Sequence, residues 1–247
     1  MIGIRDRDHL TDLAEEVRVT IIGAIVSRDG GVVASDGRVY GSAPMRDGAY
    51  TLPPVIESDE HDKTFVCCAG RINATHSGLM RFSGKSVPEH VSEFLESGAH
   101  PIRMIAEAAG ELAEKLPGRL ESIDDSEVSF ENRKLDLLLI GHAFGQSKPT
   151  KMVALSFRPE GGRIAVVRKD VSGRKANRFH LFGDDSAQAQ AKRVLESNDS
   201  PRRDVKFLCS LLERATREGI ANCGVLPGTA VASCGGKVFI RAAGTGG

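Results

Sequence analysis

Several features are missing from this sequence, and each absence narrows the field. There is no excess of positive charge: lysine plus arginine and aspartate plus glutamate both number 33, so the formal net charge is zero. A nucleic-acid binder carries a basic surplus, and no nucleic-acid partner is expected here. There is no long apolar run; the stretch 135–140 is itself interrupted by Asp136, far short of the ~20 residues that cross a bilayer. No membrane partner is expected either. The amino terminus, MIGIRDRDHLTDLAEEVR, is charged and has no apolar core segment, unlike a secretory signal. The five cysteines (Cys67, Cys68, Cys209, Cys223, Cys234) are odd in number and contain no CxxC pair, which argues against a disulfide framework or a zinc site. His76, His142 and His180 are scattered without metal-ligand spacing and are expected to be structural or exposed. The expectations are a cytoplasmic chain with no metal and no cofactor.

What is present is a chain of 247 residues with ordinary globular composition, 40% hydrophobic and 27% charged. Residues 8–17 predict a short helix, with Leu10, Leu13, Ala14 and Val17 on one face. The β-branched run 19–25, a turn at 27–31 and the run 32–36 predict a hairpin. Residues 50–56 suit only an edge or bulged strand because of Pro53 and Pro54. A buried strand is expected over 63–69, ended by Gly70, followed by helices over 72–82, 88–96 and 101–115, the last stopped by Pro117–Gly118. Strands are expected over 135–140, 151–157, 163–167 and 178–182, then helices over 186–196 and 201–218. A closing hairpin is expected from 229–234 and 237–241 around Gly235–Gly236. The order strands, helices, strands, helices, strands favours an α+β layered fold over regular βαβ alternation. No repeat or low-complexity linker divides it. The expected organisation is an amino-terminal helix or propeptide (1–18), one domain (19–241) and a flexible tail (242–247).

Two stretches carry a resemblance. Thr20–Ile21–Ile22–Gly23, the hairpin turn, and Val32–Val33–Ala34–Ser35–Asp36–Gly37–Arg38 resemble the opening of proteasome β-type subunits and HslV. Phe65–Val66–Cys67–Cys68–Ala69–Gly70 looks like that family's apolar strand and Ala–Gly pair. The resemblance implies a four-layer αββα N-terminal-nucleophile (Ntn) hydrolase sandwich. It places Thr20 on the nucleophile, Asp36 on its acidic partner, Arg38 on an arginine shared with many β subunits, Gly70 at the oxyanion site and Glu218 on a further acidic position.

Such a threonine needs a base, because its hydroxyl is a weak nucleophile. The family supplies it in part through the freed α-amino group; a lysine and an acidic residue complete the proton network, and backbone N–H groups stabilise the oxyanion. The lysine is expected within 50–56, and none is there; Lys63 reads as lying at the wrong end of the hairpin. Gly183–Asp184–Asp185 stands where Gly–Ser–Gly is usual, Ala221 where a serine is, and Val19 where self-processing subunits have glycine. Each candidate also has a plain reading: an ordinary strand threonine, a turn-opening aspartate, an arginine pairing Asp36, a strand-ending glycine, a solvated helix glutamate.

The resemblance therefore implies a proteasome-like subunit with weak or lost threonine-peptidase activity in a ring-like homo-oligomer, with an unfoldase or sister subunit as a further partner. The alternatives are an active threonine peptidase on peptide substrates after cleavage before Thr20, a non-catalytic α-type-like subunit, and an amidohydrolase acting on a small amide.

Overall fold

The structure, a computed structural model, describes residues 20–41, 45–46, 49–96, 104–142, 149–173, 176–198 and 204–243. The expected helix over 8–17 and residues 244–247 lie outside the described residues, while Ala242 and Ala243, expected in the tail, are the end of the last strand. The elements run β1 (Ile21–Val26), β2 (Gly31–Asp36), β3 (Val39–Tyr40), β4 (Met45–Arg46), β5 (Ala49–Tyr50), β6 (Ile56–Ser58), β7 (Thr64–Cys67) and β8 (Ile72–Gly78). Next come β9 (Arg81–Phe82), β10 (Lys85–Ser86), α1 (Val87–Glu96), α2 (Ile105–Glu121), β11 (Leu135–His142), β12 (Pro149–Glu160) and β13 (Arg163–Ser172). The chain closes with β14 (Arg178–Gly183), α3 (Asp185–Glu196), α4 (Val205–Ala221) and β15 (Val238–Ala243).

Two larger sheets organise this mixed α+β fold, with strand orders β14-β1-β2-β15 and β13-β12-β11-β8-β7. Every strand pairing among the described residues is antiparallel. The pleat then sorts side chains by parity. On β1, Ile22, Ala24 and Val26 meet Leu138 and Ile140 of β11 and Met152 and Ala154 of β12, an apolar layer between the sheets. On the other face of β1, Ile21 and Ile25 pack on Leu208, Leu212 and Ala215 of α4 and Ala187 and Ala191 of α3. Leu135, Leu137 and Leu139 point oppositely from Leu138 and pack on Ile105, Leu112, Leu116 and Leu120 of α2 and Val91 of α1. Both strands bury apolar side chains on both faces, with Asp136 the polar exception in β11. Full burial of each such side chain is worth roughly 1.5–3 kcal/mol.

Three expectations fail. Residues 72–82 form β8 and β9, not a helix. Cys68, Ala69 and Gly70 all take positive φ (54°, 52° and 83°), and this turn folds the chain straight back onto β7. Ile72 and Ala74 face the α1–α2 side, while the pairing Asn73↔Ile140, Thr75↔Leu138 and Ser77↔Asp136 turns small polar residues the other way. Those small residues hid the strand's period. Next, α2 runs through Pro117 to Glu121 instead of stopping before it. The ring removes one helical N–H donor, a cost of about 3 kcal/mol, but Leu116 and Leu120 on either side are fully buried and offset it. Finally, residues 229–234 form no strand. They join 224–226 through the single bridge Val225↔Ala232, while β15 pairs with the free edge of β2.

Candidate active site

Hairpin register brings the first two site residues together. The pairing Ile22↔Ser35 continues one step to set Ile21 opposite Asp36, so Thr20 and Asp36 share the open end of the β1–β2 hairpin. The Thr20 hydroxyl donates to Asp36 Oδ1, and the Ile21 N–H reaches the same oxygen at 3.4 Å. Lys63, the residue before β7, enters from the other sheet. Its Nζ donates to Thr20 Oγ1 at 2.6 Å, to Asp36 Oδ1 at 2.8 Å and to the Arg38 carbonyl at 2.7 Å. All three ammonium hydrogens are thus used. Thr20, Asp36 and Lys63 are 4%, 0% and 2% exposed, so this is a buried, charge-balanced group and not a surface ion pair.

A second tier holds the first. Asp36 Oδ2 accepts from the Gly235 N–H at 3.1 Å. The Arg38 guanidinium lies against Gly235, where an added Cβ would come 2.4 Å from Cζ, and forms a two-point pair with Asp59 (2.6 and 3.0 Å). The Asp59 carbonyl sits so close to Gly37 and Gly236 that a Cβ at either would approach it to 2.5 or 2.3 Å. Behind Thr20, its carbonyl accepts from the Asp184 N–H at 2.8 Å. Asp184 caps α3 through the Ala187 N–H (2.8 Å) and also takes the Gly224 N–H (3.1 Å) and the Ser233 hydroxyl (2.8 Å). Gly183 is required there: its φ is +123°, and a Cβ would fall 1.8 Å from the Thr20 carbonyl oxygen.

The sequence expectations fare unevenly against this geometry. Thr20 and Asp36 meet. No lysine lies within 50–56, but Lys63 reaches Thr20, because the chain returns to the site before β7 begins. A lysine opening a buried apolar strand was the signal: such a residue is seldom fully buried without an anionic partner. Arg38 pairs with Asp59 and not with Asp36, although its carbonyl contacts Lys63. Gly70 lies at the opposite end of β7, about 13 Å of strand from Lys63. The β7–β8 turn instead returns His76 to Lys63, with its N–H on the Lys63 carbonyl at 3.3 Å, followed by Ser77 and Gly78. Glu218 is exposed on α4, where its carbonyl accepts from the Asn222 side chain.

Burial leads the shifts of His76, His61 and Tyr40, and hydrogen bonding those of Asp59 and Arg38. His76 is pushed down to about 3 by desolvation, then by the Lys63 charge and His61. His61 is lowered for the same first reason, with Lys63 again contributing. The Asp59 carboxylate is held below its usual range by its bond to Arg38, whose guanidinium is raised correspondingly. Tyr40 is raised by burial, and its hydroxyl donates to the Ala232 carbonyl.

Chemically, the arrangement offers a hydroxyl whose proton already points at a carboxylate and whose oxygen is flanked by an ammonium. That combination can lower the cost of forming an alkoxide-like oxygen.

Comparisons with known proteins bear on the fold alone. No family model matches the chain. No curated protein matches it either. Among solved structures, Anbu (ancestral beta-subunit) from Yersinia bercovieri is similar over 90% of this chain and 81% of that one, with a TM-score of 0.55 and 14% identity. The chain therefore has a fold like that of a proteasome-like β-subunit relative.

Proposed function

We propose that this chain is a threonine-type N-terminal-nucleophile hydrolase of the proteasome kind, made as a precursor and activated by cleavage between Val19 and Thr20. The observation that carries this reading is the 2.6 Å approach of Lys63 Nζ to Thr20 Oγ1 within a buried group that also contains Asp36. A degenerate site follows from a missing lysine, and Lys63 removes that premise. The layered packing supports the finer assignment of an αββα sandwich: α1 and α2 pack on one sheet, α3 and α4 on the other, with apolar side chains between the sheets.

In this mechanism, cleavage frees the Thr20 α-amine, whose unperturbed pKa of about 7.7–8.0 leaves roughly a tenth to a sixth of it neutral at pH 7 and more above that. Thr20 Oγ1 then attacks a peptide carbonyl as its proton passes to that amine. Lys63 stabilises the developing oxygen charge, and its contact with Asp36 holds it in place beside Thr20. Arg38 keeps its proton and serves as a brace. Before cleavage the Thr20 nitrogen is an amide and no such base exists. Processing and peptide hydrolysis therefore stand together.

Intact mass of the purified chain, with a peptidase assay on the same sample, tests this. Loss of the first 19 residues with peptide hydrolysis, both abolished by Thr20→Ala, is expected. Robust hydrolysis by chain still carrying Val19 would overturn the mechanism. A second reading, a non-catalytic subunit like the proteasome α type, is favoured by Val19 standing where glycine is usual. It predicts an intact amino terminus and no hydrolysis. Under either reading the chain works as a multimer, hypothetically a ring.

A further inference from the structure

The segment that holds Asp36 from behind contains two cysteines in an unusual relation. After α4 the chain reverses at 227–230, and its two arms pair. The Ser233 N–H donates to the Gly224 carbonyl at 2.8 Å and the Leu226 N–H to the Val231 carbonyl at 2.8 Å, on either side of the bridge Val225↔Ala232. These bonds make 224/233 and 226/231 the hydrogen-bonded pairs of the ladder and 225/232 a non-hydrogen-bonded one. Carrying the register one pair past 224/233 sets Cys223 opposite Cys234, again in a non-hydrogen-bonded position. Residues so placed have Cα atoms about 4.5 Å apart and side chains on one face, the closest cross-strand approach a ladder provides. A disulfide needs a Cα separation of roughly 4.4–6.8 Å.

The side chains agree with the register. Cys223 Sγ lies 3.4 Å from the Cys234 carbonyl oxygen, and both cysteines belong to the apolar cluster beneath α4. Cys234 is buried and Cys223 partly accessible. Burial, followed by the neighbouring Cys223 thiol, raises the Cys234 thiol above its ordinary range, which suits a thiol that enters second. The two remaining neighbours in this segment are already committed. Ser233 bonds Asp184, and the Gly235 N–H bonds Asp36.

We propose that Cys223 and Cys234 are a built disulfide site that closes by exchange with a small-molecule disulfide of the glutathione class and braces the strip carrying the Gly235 N–H. The Cys223 thiolate attacks one sulfur of the oxidant. A new S–S bond forms, the oxidant's S–S bond breaks, and one reduced thiol leaves. The Cys234 thiol, losing its proton to solvent, then attacks Cys223 Sγ in the mixed disulfide and expels the second reduced thiol. Two protein thiols are oxidised and one oxidant disulfide is reduced, so electrons and protons balance. A register that sets the two residues opposite each other keeps the backbone adjustment on closure small, so the bond should stiffen the strip while its bonds to Asp36 and Asp184 stay in place. The proposal does not depend on hydrolytic activity.

The test uses the full chain, equilibrated natively with oxidised glutathione, then denatured and alkylated. Arg217 and Lys237 bound one tryptic peptide that holds both cysteines and no internal cleavage site. The expected result is that this peptide loses two hydrogens, takes up no alkyl group, and takes up two after reduction. The oxidised chain should also melt at a higher temperature and exchange the Gly235 amide more slowly. Cys223→Ser should leave Cys234 fully alkylated; Cys223→Ala serves if the serine variant does not fold. The proposal is overturned by full alkylation of the oxidised peptide, by a glutathione adduct that persists on Cys223, by a cross-link to Cys209, or by closure that lowers the melting temperature.

Discussion

Removing the Lys63 ammonium is the sharpest physical test of the site, because its outcome follows from burial and charge before any activity is assumed. In Lys63→Met the stem is replaced by a side chain of similar bulk and the charge disappears. Asp36, with no exposed surface, keeps the Gly235 N–H, the weaker Ile21 N–H and the Thr20 hydroxyl, but among the described residues it forms no second ion pair. Leaving one member of a buried ion pair uncompensated costs about 3–5 kcal/mol. For a chain of this size each kcal/mol shifts the melting temperature by ~2–4 °C, so a fall of roughly 6–20 °C is expected. Asp36→Asn should cost a comparable amount, since it strands the ammonium. The double variant Lys63→Met/Asp36→Asn should be markedly less destabilised than the sum of the singles, with a coupling of about 2 kcal/mol or more. Urea unfolding of the four proteins gives the cycle directly. A single-variant cost below ~1 kcal/mol, or strictly additive singles, would mean that the two groups do not share a buried site, and the mechanism built on them would fail.

Other outcomes follow from neighbouring features. His76 has a folded pKa near 3 against an ordinary value of 6.5, so the fold excludes its charged form. Its contribution is complete above pH 6.5 and is lost as pH falls from there toward 3, about 2 kcal/mol by pH 5; His76→Gln should flatten that acid limb in urea titrations run at several pH values. Gly183→Ala forces a side chain onto the Thr20 carbonyl at positive φ and should cost about 3 kcal/mol or more, together with loss of any cleavage before Thr20, read by calorimetry and intact mass. Light scattering should give a mass several times the 26.4 kDa chain; a monomer at every concentration would count against the proteasome-like reading.

The hairpin that joins Thr20 to Asp36 was legible in sequence because local pattern determines it: a β-branched run, a turn, and a second run fix which residues share an end. Lys63 was not, because residues 37–62 intervene and only tertiary closure says where the chain returns. The β7–β8 turn was missed for a related reason. Cys68 and Ala69 adopt positive φ without being glycine, and nothing in their chemistry announces it. Residues 72–82, expected as a helix, instead return along β7, and Gly70 stands at the far end of that strand from Lys63. Asp184 stands where Gly–Ser–Gly is usual, yet two of its bonds, from the Gly224 N–H and the Ser233 hydroxyl, come from loops that no local pattern connects to it.

The Arg38–Asp59 clamp has a consequence for redesign. It fastens together the two ends of the excursion between β2 and β7, with Val39↔Ser58 and the Gly41 N–H on the Val55 carbonyl at 2.9 Å continuing the closure outward. The stretch between Gly41 and Val55 is thereby insulated from Lys63: its length can change without moving the residues that deliver the ammonium. Closure entropy grows only slowly with length, about 0.6 kcal/mol per doubling. A recognition peptide or affinity tag spliced into that stretch should be carried at small cost. The same insertion placed between Asp59 and Lys63, inside the clamp, would uncouple the lysine from Thr20.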